Sequence, residues 1–582
     1  MYVSYTGSAG ATIPDSEQGH TLLDWNESVT CSFRNFDHVP IYAPWDSDWI
    51  GPCARGVTVE TQAYRNMTGN FRSLLTLCLT FVSSSVALNT QLVISNAKIA
   101  PDGFAHDAIV VNGEYPGPIL TAVKGERFQI KVKNVLVDES MNKSTTVHWH
   151  GIKQRSSNEM DGTAMVTQCP ITSGHSFMYD FTPADQSGSF WYHSHYTLQY
   201  CEGLRGPVVI YDPLDPYLDM YDVDDTSTIL TISDWYHVNA YDITGTDNPD
   251  AILINGRGRY EGGPPVPLSV LSVVQGKRYR IRLMNMACKP SFVFSIDSHT
   301  FTVIEADSEN TLPLAVDSVP ILVGQRYSII LNANQTVDNY WIRTNPNYNT
   351  TFAGGLNSAI LRYEGAPRQD PIHRNWTLSN PLSESNLRAL ESPTAPGLPE
   401  AGGVDVSLNL VSVWDDNIGR FLINGYSYTS PTTPILLQLL TGQLTASQLQ
   451  PYGSVYTLPP NKTIELSVPG GQPEEYHPFH LHGHSFSVVR SAGSDTYNYY
   501  NPVRRDTTSN GVGGDNVTIR FRTDNSGPWL FHCHIDWHLD LGMAVVFAQD
   551  AGDASLHTSG AWKQLCPIYD ELPSIIRNGS EP

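Results

Sequence analysis

Four pairs of histidines, each pair separated by one residue, stand out in this sequence of 582 residues. In a strand, residues two apart point to the same face, roughly 7 Å apart, so each pair can direct two imidazoles into one cavity. A single pair carries little weight, because surface or packed pairs are common. Four pairs in aromatic and glycine-rich contexts indicate a shared metal site. The pairs are His148 and His150, His193 and His195, His480 and His482, and His532 and His534.

The last pair encloses a cysteine, Cys533. Because side chains alternate along a strand, Cys533 must face away from His532 and His534. We therefore expect two metal sites on opposite sides of one segment. A His2Cys site with a weak axial thioether is typical of one-electron copper centres. The ligands available on the cysteine side are His477, which opens the run HPFHLHGH, His538 and Met543.

Zinc is the main alternative metal. A structural zinc site uses four ligands per ion and usually clustered thiolates. This sequence offers ten candidate histidines and one cysteine among them. An excess of imidazoles with one thiolate and one thioether favours copper over zinc.

The elements around these residues have the pattern of short strands. Apolar residues alternate in runs such as FQIKV (128–132) and YRIRL (279–283), bounded by Gly, Pro or Asn, which predicts an all-β chain. A weak repeat places Asn-Gly at 112, 255 and 424, each followed by a loop and a strand. These spacings are domain lengths rather than solenoid periods and predict three related sandwiches.

Proline-rich segments near residues 215 and 368 are the expected linkers between domains. We therefore predict a first domain at 88–215, a second at 216–370 and a third at 371–582.

The amino-terminal part has a different pattern. From Met67 the sequence shows a basic residue, a short apolar core and small residues near Ala87, the layout of a secretory signal peptide at 67–87. Residues 1–66 show no hydrophobic period, and we interpret them as an upstream extension; a pro-segment is the alternative. Elsewhere no apolar run reaches membrane length, so we expect a secreted protein without a membrane partner.

The net charge of −23 argues against a nucleic-acid partner, because phosphate binding needs clustered Lys and Arg. Seven sequons after the predicted signal peptide fit a glycosylated surface. They begin at Asn142, Asn334, Asn349, Asn375, Asn461, Asn516 and Asn578. Of eight cysteines, two lie in the extension, one in the signal peptide and one is the expected metal ligand. The remaining four allow three pairings.

The motifs HWHG (148–151), WYHSHY (191–196), HPFHLHGH (477–484) and HCHIDWHLDLGM (532–543) resemble the four copper signatures of multicopper oxidases. Stretches such as VTQCPI, DNYWIRTNPN and NSAILRYEGA further resemble fungal laccases of the basidiomycete kind. The similarity covers nearly all of residues 90–570.

This resemblance implies three cupredoxin-like Greek-key β-sandwich domains and four copper ions. His477, Cys533 and His538 would hold type 1 copper, with Met543 axial. Type 2 copper would be held by His148 and His480. The type 3 pair would be held by His150, His193, His195, His482, His532 and His534. The family pattern also selects the disulfides Cys169–Cys566 and Cys201–Cys288.

The activity that the resemblance implies is one-electron oxidation of small phenols or aromatic amines, coupled to four-electron reduction of O2 to water by a monomer. Cys533 would connect the two centres. Asp161 and Asp536 match positions used for proton delivery, although Asp161 could also be a turn carboxylate. The alternatives are a ferroxidase or ascorbate oxidase on the same scaffold, and a copper-binding protein without turnover.

Two positions depart from the family pattern. Related laccases commonly carry an acid after the second-domain cysteine, where it accepts a phenol's proton, whereas this sequence has Lys289. The alternatives are an altered substrate preference or another acid in that role. Met543 replaces an apolar residue frequent in such laccases, and a thioether near copper should lower its potential.

Overall fold

The computed structural model describes residues 87–243, 248–372, 376–471, 476–553 and 556–573. The predicted extension 1–66 lies outside these ranges, as does the predicted signal peptide 67–87 except for Ala87, so both remain predictions. Within the described residues, 31 strands and three short α-helices confirm the all-β class.

Eight strands of the first sandwich form two four-stranded sheets, ordered β2-β1-β4-β6 and β3-β8-β7-β5. They are β1 Ala87–Ile99, β2 His106–Val111, β3 Leu120–Val123, β4 Arg127–Asn134, β5 His148–His150, β6 Ser176–Phe181, β7 Gly188–His193 and β8 Arg205–Tyr211.

Eleven strands of the second sandwich form sheets ordered β10-β9-β12-β17-β14-β15 and β11-β19-β18-β13-β16. They are β9 Ile229–Trp235, β10 Ala251–Ile254, β11 Val270–Val273, β12 Arg278–Asn285, β13 Phe292–Ile296, β14 Phe301–Ala306, β15 Glu309–Val316, β16 Ser318–Ile321, β17 Arg326–Asn332, β18 Asn339–Pro346 and β19 Ser358–Tyr363.

The third sandwich has sheets ordered β20-β24-β29-β26-β27 and β23-β31-β30-β25-β28, and a separate hairpin, β21-β22. Its strands are β20 Val406–Asn409, β21 Ser412–Asp415, β22 Arg420–Ile423, β23 Val455–Leu458, β24 Thr463–Pro469, β25 Pro478–Leu481, β26 Phe486–Arg490, β27 Arg504–Arg505, β28 Thr507–Ser509, β29 Asn516–Arg522, β30 Gly527–Cys533 and β31 Ala544–Gln549. The helices are α1 Ile435–Leu440, α2 Asp536–Asp540 and α3 Gly560–Asp570.

The three sandwiches repeat one local device at the Asn-Gly positions. Each asparagine has a positive φ, which asparagine and glycine tolerate better than other residues. Each amide oxygen accepts a backbone N–H, and each amide nitrogen donates to the carbonyl two residues before that N–H. The bonded pairs are Asn112 with Val93 and Gln91, Asn255 with Thr231 and Ile229, and Asn424 with Val411 and Asn409. The weak sequence repeat therefore marks equivalent turns in three related units.

Strand burial follows from the side-chain pattern. In β4 the buried residues Phe128, Ile130 and Val132 alternate with more exposed neighbours, because one face packs on the core. Strands β7 and β30 are buried along their whole length. Both lead directly to histidines of the predicted metal site.

Two disulfides connect distant segments. Cys169–Cys566 ties the first sandwich to α3, and Cys201–Cys288 ties the first sandwich to the second. This is the pairing that the family pattern selects. The exact domain boundaries at 215 and 370 stay predictions. Among the described helices, none combines the length and apolar character that crossing a bilayer requires.

Candidate metal centres

The first centre is a mononuclear group at one end of the third sandwich. Cys533 ends β30, His477 precedes β25 and His538 lies in α2. The Cys533 Sγ lies 3.7 Å from His477 Nδ1 and 3.5 Å from His538 Nδ1, and the two nitrogens are 3.1 Å apart. All three residues are buried. One thiolate and two imidazoles thus converge on one point.

Met543 and Phe421 lie around this group. Met543 is fully buried, and its backbone carbonyl and N–H bond to Cys533 and His538, respectively. The Phe421 ring centroid lies 4.8 Å from that of His538 and 6.0 Å from that of His477. The axial role of Met543 stays a prediction.

The second centre is a cluster of eight histidines between the first and third sandwiches. Their ligand atoms form three groups, and within each group these atoms lie no more than 4.8 Å from one another. The groups are His148 with His150 and His480, His150 with His193 and His534, and His195 with His482 and His532. The His482 and His532 Nε2 atoms are 3.2 Å apart, and His534 Nε2 lies 3.1 Å from His150 Nδ1. The four pairs therefore meet in one cavity.

The pairs differ from the simple strand expectation in one respect. Only His148 and His150 both lie within a strand, β5. His195, His482 and His534 each lie just beyond the end of β7, β25 and β30, respectively. At these ends the chain leaves the sheet, so the second imidazole is placed by the following loop rather than by strand alternation alone.

Buried ring nitrogens without partners indicate that the cluster fits metal ions. The Nε2 atoms of His148, His193, His195 and His480 are buried and have no hydrogen-bond partner in the described structure. A buried polar atom without a partner is costly unless something binds it. A donor set of imidazoles together with one thiolate and a nearby thioether suits copper.

The Nδ1 atoms of four cluster histidines are anchored by hydrogen bonds to backbone carbonyls. His148 Nδ1 donates to the Asp161 carbonyl at 2.7 Å, and His480 Nδ1 donates to the Asp506 carbonyl at 2.9 Å. His193 and His532 Nδ1 donate to backbone carbonyls at 2.8 and 2.9 Å. Such outer contacts fix the tautomer and leave the inner nitrogen free to bind metal.

Burial keeps the imidazoles neutral, which metal binding requires. Burial and neighbouring rings lower the pKa well below the ordinary histidine value at six cluster positions. These are His150, His193, His195, His482, His532 and His534. In the mononuclear group, burial lowers the pKa of His477 to about 4 and lowers that of His538 as well.

Asp161 lies against the cluster. Its Oδ2 lies 2.9 Å from His482 Nδ1 and accepts the Thr163 hydroxyl at 2.7 Å, while its buried Oδ1 lies 3.4 Å from His148 Nδ1. A role in a turn does not by itself explain the Asp161 carboxylate, because this carboxylate contacts the ring of a predicted metal ligand, His482.

Asp536 also lies beside the histidine cluster. It lines a cavity together with Cys533, four cluster histidines and three further residues. The histidines are His193, His195, His532 and His534, and the further residues are Ser194, Tyr200 and Leu539. Burial, with Asp540 and Asp234 nearby, raises the pKa of Asp536 well above the ordinary carboxyl value. Burial therefore favours the protonated form of Asp536.

Sequence analysis missed two residues at the cluster, Asp506 and Arg326. The Asp506 carboxylate accepts two hydrogen bonds of 2.7 Å from Arg326 and lies 3.3 Å from His150 Nε2. Burial raises the pKa of Asp506, but Arg326 outweighs it and holds this pKa well below the ordinary value. No spacing in the sequence signals either residue, although Gly151 of HWHG leaves the space that the Arg326 guanidinium occupies.

Lys289 lies near the mononuclear group. It is half-buried, and its backbone N–H donates to Asp234 at 3.2 Å. Its charge contributes to the lowered pKa of His538. The Lys289 cation thus lies near the mononuclear group, which is predicted to accept the electron from the reductant.

Comparisons with known proteins agree with this geometry. Multicopper oxidase family models match residues 93–215, 226–366 and 428–553. Laccase-4 of Trametes villosa is 53% identical over 520 residues, covering 87% of this chain and 99% of the relative. A laccase of Phlebia radiata is 54% identical over 495 residues, covering 84% and 95%.

Solved structures share the fold. A laccase from Botrytis aclada has a TM-score of 0.73 at 29% identity and covers 84% of this chain and 92% of its own. A multicopper oxidase that functions in iron import has a TM-score of 0.72 at 26% identity, covering 83% and 95%. The chain therefore belongs to the multicopper oxidase family and is a copper-dependent oxidoreductase of the laccase type.

Proposed function

We propose that the chain binds four copper ions and oxidises small phenolic or aromatic reductants while reducing dioxygen to water. His477, Cys533 and His538 would hold the type 1 ion, and Met543 would supply a weak thioether ligand. The type 2 ion is held by His148 and His480. The type 3 pair is held by His150, His193, His195, His482, His532 and His534. When bound, these ions take up single electrons at one site and deliver four to dioxygen at the other.

The observation that carries this proposal is the arrangement around the end of β30. Cys533 contacts His477 and His538, whereas its neighbours His532 and His534 contact the histidine cluster. One covalent segment therefore joins the two centres. A protein that only stores copper has no need of this connection.

Asp161 and Asp536 deliver protons in this proposal. Asp161 contacts His482 in the cluster, and Asp536 lines the cavity that the cluster rings share. Reduction of dioxygen to water consumes protons, and both carboxyls are placed to pass them inward. Asp161 contacts His482, whereas the cavity that Asp536 lines does not include His482, so we assign the two acids to separate routes.

We further propose that the protein is secreted, glycosylated and monomeric. Three sequon asparagines, Asn334, Asn349 and Asn461, are exposed. By contrast, the Asn142 amide is buried and donates to Thr197 at 2.9 Å, so we expect no glycan there. Asn375 and Asn578 lie outside the described residues.

The test is a comparison of initial rates of oxygen uptake with a phenol, ascorbate and ferrous iron. We expect the phenol to give the highest kcat/KM. A higher value for iron would favour the iron-oxidising alternative, which the relative that functions in iron import keeps open. No oxygen uptake with any reductant would favour a copper-binding protein without turnover.

A further inference from the structure

The hairpin β21-β22 covers the mononuclear group from outside. It hydrogen-bonds to no other sheet among the described strands, and its register pairs Trp414 with Phe421. The Phe421 N–H donates to the Leu541 carbonyl at 2.9 Å, and the Tyr428 N–H donates to Gly542 at 3.1 Å. The hairpin is therefore fixed to the loop that follows His538.

Glycine at position 542 permits this close approach. A Cβ there would lie 2.0 Å from the Ser427 hydroxyl, and Gly542 has a φ of +98°. Arg420 adds a hydrogen bond of 3.2 Å to the Asp540 carbonyl. The hairpin position is thus set by contacts to the segment that carries a predicted copper ligand.

The rings of Trp414 and Phe421 connect the hairpin surface to two predicted copper ligands, His538 and His477. Trp414 is 37% exposed, and its ring centroid lies 4.9 Å from that of Phe421. Phe421 in turn lies 4.8 Å from His538 and 6.0 Å from His477. His538 itself is only 6% exposed. A large reductant that cannot approach His538 can still reach Trp414.

The surroundings of Trp414 suit an aromatic ring. Ile418, in the turn of the same hairpin, is also exposed, whereas strand alternation directs Val413 to the face opposite Trp414. Asp416 accepts the indole N–H at 2.9 Å and fixes the ring. Its carboxylate also favours a ring that becomes positively charged on losing an electron.

We propose that Trp414 is a second docking site, for electron-rich aromatic rings carried on reductants too large to reach His538. This inference rests on the proposed function, because the electron must enter at the mononuclear group. The docked ring loses one electron through Phe421 to the oxidised copper centre, which dioxygen ultimately reoxidises. A docked phenol then releases its hydroxyl proton to water, and Trp414 itself is not oxidised.

The test compares Trp414→Ala with Trp376→Ala, because Trp376 is an equally exposed tryptophan at 38%. The probes are syringol, free and coupled to a neutral dextran. We expect Trp414→Ala to lower kcat/KM for the dextran-bound phenol about fivefold, the equivalent of about 1 kcal/mol of ring stacking. Free syringol and Trp376→Ala should show little change, and Trp414→Phe should restore most of the rate. Equal effects on both probes, or no effect, would overturn the proposal.

A binding measurement separates this proposal from the proposed function. Binding of veratrole coupled to the same neutral dextran, measured on immobilised enzyme reduced by dithionite under argon, should give a signal that Trp414→Ala loses and Trp376→Ala keeps. If the copper-loaded enzyme lacks blue absorption, the proposed function fails whatever this signal shows. If blue absorption is intact and Trp414→Ala keeps the veratrole signal, the docking site alone is wrong.

Discussion

The two metal centres differ in where their residues come from. The mononuclear group draws all its residues from positions 477–543 of the third sandwich. The histidine cluster draws on the first and third sandwiches, and Arg326 of the second supports it through Asp506. The first centre therefore depends on one domain, whereas the second depends on the packing of all three.

The outer contacts differ in the same way. Cluster rings are anchored by Asp161, by Asp506 and by backbone carbonyls. The mononuclear group packs against Phe421 and other apolar side chains of the third-domain core. Changes to buried carboxylates and their arginines should consequently affect the cluster and spare the mononuclear group.

Among substitutions outside the predicted metal ligands, the largest expected effect is that of Arg326→Gln. Loss of one partner leaves Asp506 as a buried charge, which costs about 3–5 kcal/mol of unfolding free energy. We expect a loss of about 10-fold to 100-fold in oxidase turnover, because an outer partner of metal ligands is removed. Copper content and the paramagnetic spectrum should show loss from the cluster, while blue absorption remains.

The matched control is Arg343→Gln. Arg343 makes a similar two-bond pair with Asp297, at 2.7 Å for each bond, in the same domain. It should lower stability without selective loss of cluster copper. Equal loss of blue absorption and cluster copper in Arg326→Gln would contradict the distinction between the centres.

Glu305 offers a pH test of the same distinction. Burial raises the pKa of Glu305, but Arg280 and Arg282 outweigh it and lower this pKa to about 2. Because the folded-state pKa is depressed, the stabilisation is present above the ordinary value of 4.5 and is lost as pH falls towards 2. It amounts to about 3 kcal/mol at neutral pH. Glu305 also accepts the Ser189 N–H of β7, which leads to His193.

We therefore expect acid to release cluster copper before blue absorption is lost. Glu305→Gln should be less stable at neutral pH and should show a shallower loss of unfolding free energy below pH 4.5. Denaturant unfolding at several pH values measures this, with the exposed Glu261→Gln as control. An unchanged pH slope in Glu305→Gln would show that the ion pairs do not stabilise the fold.

How much of the fold and of the two metal centres the sequence predicts depends on how far apart in the chain the residues lie. The His-x-His pairs and Cys533 were visible because their spacing is local and strand alternation predicts their directions. Arg326 and Asp506 are 180 residues apart and share no spacing rule, so only the fold brings them together. The loop placement of His195 also depends on where β7 ends, which alternation does not give.

A smaller effect, confined to the mononuclear group, is expected of Met543→Leu. Removal of the thioether should raise the reduction potential, because a weak axial ligand stabilises the oxidised centre. Redox titration of the blue absorption measures this, with the equally buried Met286→Leu as control. An unchanged potential would mean that Met543 is not axial.

The smallest expected effect is that of Lys289→Asp. An acid beside His538 can accept a phenol's proton, so the ratio of phenol to non-phenol oxidation should rise, by less than about tenfold because solvent screens a half-buried group. Lys289→Gln separates loss of the cation from gain of the base. An unchanged ratio in both variants would assign the proton to another acid.

The most direct test of the central claim is an optical spectrum with a copper count on the loaded enzyme and on Cys533→Ser. We expect four copper ions and intense blue absorption in the wild type. In Cys533→Ser we expect three ions, no blue absorption and no oxidase turnover. A colourless loaded wild type, or full turnover in Cys533→Ser, would contradict the assignment of this thiolate as the link between the two centres.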